Sequence, residues 1–220
     1  MTTLAIFDLD NTLLNGDSDH AWGQFLIEQG VVDATQYREA NDHFYQMYKE
    51  GNLNIYQFLA FALQPLAHHD RATLDNWHRQ FMQQKVQPML QQKAAALLAE
   101  HRSRGHHLMI ITATNRFVTG PIATLLGVDT LLATDPETDE NGEFTGNVHG
   151  TPCFREGKVE RLQQWLADTG HSLAGSWFYS DSHNDLPLLQ QVDNPVAVDA
   201  DPQLAEHARR QGWPHISLRS

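Results

Sequence analysis

The chain has 220 residues, of which 41% are hydrophobic and 19% are charged, a composition typical of a globular protein with one large domain or two small ones. Its formal net charge of −12 argues against nucleic acid as a partner, because phosphate backbones are bound by clustered lysine and arginine. No apolar run approaches the roughly 18 residues that a membrane span needs, no signal peptide is expected before the first apolar segment, and the single cysteine, Cys153, favours a reducing cytoplasm.

The first predicted element is a buried strand at residues 4–7, where four apolar residues follow one another. Asp8 and Asp10 come directly after it, and in an extended backbone this spacing places both carboxylates on the same side. Two like charges beside a buried strand are unfavourable unless a cation lies near them, and hard oxygen ligands suit Mg²⁺. These residues alone leave open the alternative of a strand followed by an ordinary Asp/Asn turn.

Residues 15–87 are predicted to be mostly helical, because apolar side chains recur there at helical spacing and runs of β-branched residues are lacking. We therefore expect a small helical domain at 15–87, inserted after the first strand, and a core domain formed by 1–14 and 88–220. Breaks between the helices are expected at Gly30, Gly51 and Pro65.

After residue 88, predicted strands and helices alternate, which is typical of a parallel, doubly wound α/β sheet. Asn141-Gly142 predicts a hairpin between Thr138 and Phe144. The 13 histidines are expected at scattered surface positions, because their spacing does not match that of a zinc site. The further predicted strands are 108–111, 131–134, 177–179 and 195–198, and the predicted helices are 91–104, a helix beginning at about Pro121, and 158–168.

Polar side chains follow three of the predicted strands, and a lysine opens the helix between the third and fourth strands. Because the carboxyl ends of parallel strands lie along one edge of a sheet, these groups are expected to converge. An ammonium group and several carboxylates around a cation suit a phosphoryl group, since positive charge offsets the phosphate oxygens and a carboxylate can attack phosphorus. The set comprises Asp8, Asp10, Thr112, Lys158, Asp181 and Asp185.

Four short segments, in this order along the chain, resemble the four motifs of the haloacid-dehalogenase-like phosphohydrolases. The resemblance spans nearly the whole chain. It implies that family's Rossmann-like parallel sheet, sandwiched by helices, with an inserted helical cap of the C1 type. The segments are Asp8-Leu9-Asp10-Asn11-Thr12, Ile110-Ile111-Thr112-Ala113, Gly157-Lys158 and Ser180-Asp181-Ser182-His183-Asn184-Asp185.

The resemblance implies a role for each matching residue. Asp8 would be the nucleophile that forms an aspartyl-phosphate, and Asp10 would protonate the leaving alkoxide and then activate water. Thr112 and the main-chain N–H of Ala113 would bind the phosphate, and Lys158 would balance the negative charge. A dehalogenase lacks an acid at the position of Asp10, so the resemblance indicates a phosphatase or a phosphomutase.

Mg²⁺ is the cofactor that the resemblance implies. Its ligands would be the Asp8 carboxylate, the main-chain carbonyl of Asp10 and the Asp181 side chain. Asp185 would support either the lysine or a metal-bound water, and Asn184 is expected to contact the phosphate.

The chain also resembles the phosphoserine phosphatases, a subgroup of this family, at residues 8–12, 50–54 and 143–148. Two positions depart from that subgroup: Asp17 replaces the cap glutamate that binds the substrate ammonium, and Ala62 replaces the arginine that binds its carboxylate. The expected substrate is therefore a small phosphomonoester with an amine and no carboxylate. Histidinol phosphate fits this description, and the chain is similar to bacterial proteins assigned that activity.

Several alternatives remain open at this point. Asp17 could simply be the N-cap of the first cap helix, and Arg116 could contact an anion or lie at the surface. The alternative functions are a phosphoserine phosphatase, a phosphotransferase or mutase on the same scaffold, and a phosphate-binding module without turnover. The expected partner is a small phosphomonoester, and the chain could be a monomer or a homodimer.

Overall fold

A computed structural model describes residues 2–219, and its centre is a single sheet of seven strands. The strands are β1 (Leu4–Phe7), β2 (His107–Asn115), β3 (Thr130–Thr138), β4 (Phe144–His149), β5 (Trp177–Ser180), β6 (Asn194–Val198) and β7 (His215–Ile216). Their order across the sheet is β4-β3-β2-β1-β5-β6-β7. Only β4 is antiparallel to its neighbour, β3, so the predicted parallel α/β sheet is confirmed.

Side chains of the central strands alternate between two hydrophobic cores, one on each face of the sheet. In β1, Ala5 and Phe7 belong to one core, whereas Leu4 and Ile6 belong to the other, and all four are fully buried. Burial on both faces explains why this strand has an unbroken apolar run instead of alternating apolar and polar residues. It also places the polar residues that follow β1 at the carboxyl edge of the sheet.

Ten α-helices accompany the sheet within residues 2–219. They are α1 (Ser18–Glu28), α2 (Ala34–Glu50), α3 (Ile55–Ala62), α4 (Gln64–Ala67), α5 (Arg71–Phe81), α6 (Gln92–Ser103), α7 (Arg116–Leu126), α8 (Glu156–Thr169), α9 (Leu186–Leu189) and α10 (Pro202–Gln211). Helices α1 to α5 follow β1 in the chain and contribute, with α6 and α7, to the first core. Helices α8, α9 and α10 pack against the other face.

The chain passes between the sheet and the helical segment twice, and these two connecting stretches lie side by side. Leu14 and Leu90 form an isolated antiparallel bridge, and the N–H of Asn15 donates to the carbonyl of Met89 at 2.8 Å. Beside them, the amide Nε2 of buried Gln91 donates to the carbonyl of Thr12 at 3.2 Å and to that of Leu13 at 3.3 Å. These contacts hold the two connecting stretches together next to the loop that carries the first motif.

The predicted helix start at Pro121 is wrong, because α7 begins five residues earlier, at Arg116. The side chain of Asn115 accepts a hydrogen bond from the N–H of Val118 at 3.2 Å and caps that helix. Pro121 lies inside the helix, beyond its first turn.

The expectation that all histidines lie at the surface is wrong for two of them. His78 and His101 are buried, and each has a polar partner: Nε2 of His78 lies 2.9 Å from the carbonyl of Val118, and Nε2 of His101 lies 2.9 Å from the hydroxyl of Tyr179. Within residues 2–219, the helices are too short or too polar to cross a membrane.

Candidate active site

The first motif begins where β1 ends. The N–H of Asp8 donates to the carbonyl of Tyr179 at 2.9 Å, which continues the pairing of β1 with β5 up to the edge of the sheet. Asp10 lies in the tight loop Leu9–Leu13, where Asn11 has a φ of 58°, a left-handed conformation that asparagine tolerates better than most residues. Both aspartates line the same pocket.

Lys158 on α8 joins Asp8 to a second buried carboxylate. Its Nζ donates to Oδ1 of Asp8 at 2.8 Å and lies 2.7 Å from Oδ1 of Asp185. The hydroxyl of Ser180 donates to the other oxygen of Asp185 at 2.6 Å. Burial acts to lower the pKa of Lys158, but the charges of Asp185 and Asp8 outweigh it and raise that pKa, so the amine is an ammonium. Asp185 therefore lies where one of its two expected roles, support of the lysine, requires.

Asp8 and Asp181 face the same hydroxyl group from two sides. Oγ1 of Thr12 lies 3.4 Å from Oδ2 of Asp8 and 3.2 Å from Oδ1 of Asp181, and it accepts a hydrogen bond from the N–H of Asp181 at 3.0 Å. A hydroxyl has one proton, so it can donate to only one of these carboxylates. The other one is left without a donor from this hydroxyl.

Burial raises the pKa of both carboxylates. Burial raises the pKa of Asp8 to about 7 even though Lys158 lies beside it. Burial, with the charges of Asp8 and Asp185, also raises the pKa of Asp181 well above its usual range. Within residues 2–219, groups of three His, Cys, Asp or Glu side chains arranged to hold a metal are not found. The carboxylate of Asp8, which shares Lys158 with Asp185, and that of partly exposed Asp181 nonetheless fit a hard divalent cation, provided that a main-chain oxygen such as that of Asp10 completes the set.

The side chain of Asp10 is held away from Lys158 by two donors. The N–H of Ser18 donates to its Oδ1 at 2.6 Å, and the hydroxyl of Thr114 donates to its Oδ2 at 2.7 Å. Burial, and then the charge of Asp17, raises the pKa of Asp10 to about 7, which suits a group that gives and takes a proton near neutrality. Thr114 was missed in the sequence, although it lies only two residues after Thr112, and both line the pocket.

Thr112 and Ala113 also line the pocket, near the end of β2. Thr112 is almost fully buried, and its hydroxyl accepts a hydrogen bond from the N–H of Thr114 at 3.2 Å. Helix α7 begins shortly afterwards, so the unpaired N–H groups of its first turn lie close in sequence to these two residues. Such an arrangement favours an anion.

The pocket above Asp8 and Asp10 has acidic and aromatic walls, and its lining residues include neither lysine nor arginine. Asp17 both caps α1, accepting from the N–H of His20 at 2.8 Å, and borders the pocket, so the two interpretations of this residue are compatible. The other side chains from the helical segment that border it are Asp19, His20, Asn41, Phe44, Tyr45, Tyr48, Leu53, Ile55 and Phe58.

Two candidate phosphate contacts have other partners in the structure. The amide of Asn184 donates to the carbonyl of Tyr48 at 3.1 Å, and its oxygen accepts from Nε of Arg155 at 2.9 Å. Arg116 does not border the pocket but pairs with Asp135, which agrees with the surface alternative for this residue. Asn184 thus connects the end of α2 to the core side of the site, a contact that short-range sequence patterns do not signal.

Comparison with known proteins agrees with the motifs. Residues 5–190 match the model of the haloacid dehalogenase-like hydrolases. A protein named histidinol-phosphatase from Neisseria meningitidis serogroup C (strain 8013) is 44% identical over 222 residues, covering 100% of both chains. A crystal structure of a protein of unknown function from Bordetella pertussis Tohama I has a TM-score of 0.92 and 44% identity, covering 99% of this chain and 100% of the other.

A phosphoserine phosphatase, solved as a phospho-aspartyl intermediate analogue, has a TM-score of 0.72 and covers 100% of this chain and 94% of its own. At 20% identity this similarity shows the fold alone. The family model covers most of the chain, and the Neisseria relative matches it from end to end. The chain is therefore an enzyme that belongs to the haloacid dehalogenase-like hydrolases.

Proposed function

We propose that the protein is a Mg²⁺-dependent phosphomonoesterase that works through an aspartyl-phosphate on Asp8. The observation that supports this most directly is the buried group at the sheet edge, where Lys158 contacts Asp8 and Asp181 lies on the opposite side of Thr12. This is a nucleophile with positive charge beside it and room for a cation, which phosphoryl transfer requires.

The reaction divides into two displacements. A carboxylate oxygen of Asp8 attacks phosphorus, the bond from phosphorus to the ester oxygen breaks, and the leaving alkoxide takes a proton from Asp10. Asp10, now a carboxylate, takes a proton from water, the water oxygen attacks phosphorus, and the bond to Asp8 breaks to release phosphate. The raised pKa of Asp10 supports this alternation, because both protonation states are accessible near neutral pH.

Mg²⁺ would be held by the carboxylates of Asp8 and Asp181 and the main-chain carbonyl of Asp10. When bound, it offsets negative charge on these groups and on the phosphate oxygens. Lys158 orients the nucleophile and lowers the pKa of Asp8 against the effect of burial, and Thr112 with the N–H of Ala113 holds the phosphate.

Residues 15–87 act in this proposal as a cap domain over a core formed by 1–14 and 88–220. Helices α1 and α2, together with the α2–α3 loop and α3, supply the walls of the pocket on the side where the leaving group would lie. Closure of such a cap excludes water before the first displacement and selects among leaving groups.

Histidinol phosphate is the substrate that the pocket supports best. Its amine has carboxylate partners in the pocket, beginning with Asp17. The carboxylate of phosphoserine would lack a cationic partner, because neither lysine nor arginine lines the pocket. The name of the Neisseria relative, identical at 44% of positions over its whole length, supports the same choice.

A substrate panel tests the proposal. We expect faster phosphate release from histidinol phosphate than from phosphoserine, loss of turnover with EDTA, and recovery when Mg²⁺ is added back. Faster hydrolysis of phosphoserine would refute the substrate assignment, and full activity in EDTA would refute the metal dependence. Including an acceptor alcohol separates hydrolysis from phosphotransfer, since a transferase would form a new phosphate ester in place of free phosphate.

A further inference from the structure

Asp19 is an acid of the pocket that the reaction proposed above does not use. It lies in the first turn of α1 and borders the pocket with Asp17. Asp17 accepts a hydrogen bond from the N–H of His20, and Asp10 accepts from Ser18 and Thr114. Within residues 2–219, by contrast, the carboxylate of Asp19 has neither a hydrogen-bond donor nor an ion-pair partner. A carboxylate that lies near the charges of Asp17 and Asp10 without a partner of its own is costly unless a ligand supplies one.

Asn41 on α2 is a second unsatisfied acceptor in the same pocket, and it is independent of the acids. The residue is only 5% exposed. Its amide nitrogen lies 3.0 Å from the carbonyl of His20 and 3.1 Å from Nδ1 of the same residue. Because a carbonyl can only accept, these contacts fix which end of the amide is the nitrogen. Oδ1 of Asn41 is left without a donor from the described chain, although the residue borders the pocket.

Aromatic side chains form the walls of the pocket around these two acceptors. His20 stacks on Tyr45 with ring centroids 4.7 Å apart and planes inclined by 23°, and Phe44 packs edge-on against Phe58 at 5.5 Å. All four of these residues border the pocket. Flat apolar walls favour a planar group, and aromatic faces also attract cations.

We propose that Asp19 and Asn41 form a second recognition point for the leaving group, which binds a planar N–H-bearing group distinct from the amine at Asp17. The inference rests on the proposed function and assigns the residues that would recognise the ring of its substrate. The substrates would be phosphomonoesters of amino alcohols that carry a second nitrogen group on a flat ring. Asp19 is a specificity-determining residue in this scheme, because it contacts the leaving group and not the phosphate.

A structural role for Asp19 has to be separated from this one, since an acid in the first turn of a helix also stabilises the helix dipole. The experiment compares Asp19→Asn and Asp19→Ala with Glu39→Gln, which removes the same charge from an exposed site on α2. For each variant, kcat and KM are measured with histidinol phosphate, which has an amine and a ring, and with phosphoethanolamine, which has only the amine.

We expect the ratio of kcat/KM for histidinol phosphate to that for phosphoethanolamine to fall by about 10- to 100-fold in both Asp19 variants, mainly through KM. Glu39→Gln should keep the wild-type ratio. An unchanged ratio, whether kcat/KM stays at the wild-type value or falls equally with both substrates, would overturn the role of Asp19. The proposed function would still stand. Wild-type enzyme that hydrolyses neither substrate would overturn both.

Discussion

Lys158 Nζ lies 2.8 Å from Oδ1 of Asp8, and both side chains are almost completely buried. The pair joins the residue that directly follows β1 to α8, across 150 residues of chain. Burial of either charge alone would be unfavourable, so the two must be placed together, and Asp185 completes the group from the other side. The same contact that stabilises the sheet edge therefore orients the proposed nucleophile.

Lys158→Met removes the cation from this group and leaves Asp8 and Asp185 buried without it. We expect a loss of about 3 to 5 kcal/mol in the free energy of unfolding, measured by urea titration in EDTA. Phosphate release should fall by at least about 10³-fold, because charge on the phosphate is no longer balanced. Lys93→Met, at an exposed position on α6, should change stability by no more than about 0.5 kcal/mol. Similar stabilities for the two variants would contradict the account.

In the Asp10→Asn variant, substrates with different leaving groups distinguish the first displacement from the second. An alkyl phosphate needs a proton on its leaving oxygen, so its hydrolysis should slow by about 10²- to 10⁴-fold. p-Nitrophenolate leaves without one, so a rapid burst of about one p-nitrophenol per active site should precede slow turnover, since water is no longer activated. Rapid-quench kinetics measure the burst, and Asp8→Asn, which lacks the nucleophile, should show none. Equal losses with both substrates and no burst would argue against Asp10 as the acid.

The fold class could be predicted because its signals are local. Each central strand contains an apolar run, and two of the four motifs begin directly after a strand, since Asp8 follows β1 and Asp181 follows β5. The start of α7 could not be placed because Asn115 and Pro121 are both good helix-start residues, and only the capping bond to Val118 decides between them.

Contacts between distant parts of the chain were beyond prediction for a different reason. His101 is buried, and Tyr179, 78 positions later, supplies a partner for its Nε2. Arg155 reaches the carbonyl of Gly51 across 104 residues. Neither pair leaves a pattern at short spacing, because its two residues lie far apart in the chain. The roles of the site residues likewise stay predictions until the variants are measured.

Gly51 ends α2 at the point where the helical segment meets the core. Its φ is 73°, and a Cβ there would lie 2.6 Å from Nε2 of His183 and 3.3 Å from the guanidinium of Arg155. Gly30 has a similar φ of 67°, with nothing within 4 Å of a Cβ. Alanine at either position therefore costs about 1 kcal/mol of backbone strain, but only Gly51→Ala also displaces its neighbours.

We expect Gly51→Ala to destabilise the protein by about 2 to 3 kcal/mol and to raise KM, because the end of α2 can no longer pack closely against Arg155 and His183. Gly30→Ala should lose about 1 kcal/mol and keep the wild-type KM. Urea unfolding and substrate titration measure the two effects. The same KM for both variants would show that the contact between α2 and the core does not affect substrate binding.

His101 makes stability depend on pH between neutrality and about pH 4. Burial, with the nearby charges of His106 and Arg104, lowers its pKa to about 4, whereas an unfolded histidine titrates near 6.5. As the pH falls below 6.5, the unfolded state takes up a proton that the native state does not, so stability decreases until about pH 4. The loss from this residue should be about 2 to 3 kcal/mol between pH 7 and pH 4. His101→Gln should remove that part of the pH dependence in urea titrations, whereas His149→Gln, at an exposed position, should retain it. Identical pH profiles for wild type and His101→Gln would show that the buried ring accepts a proton as readily as a free one.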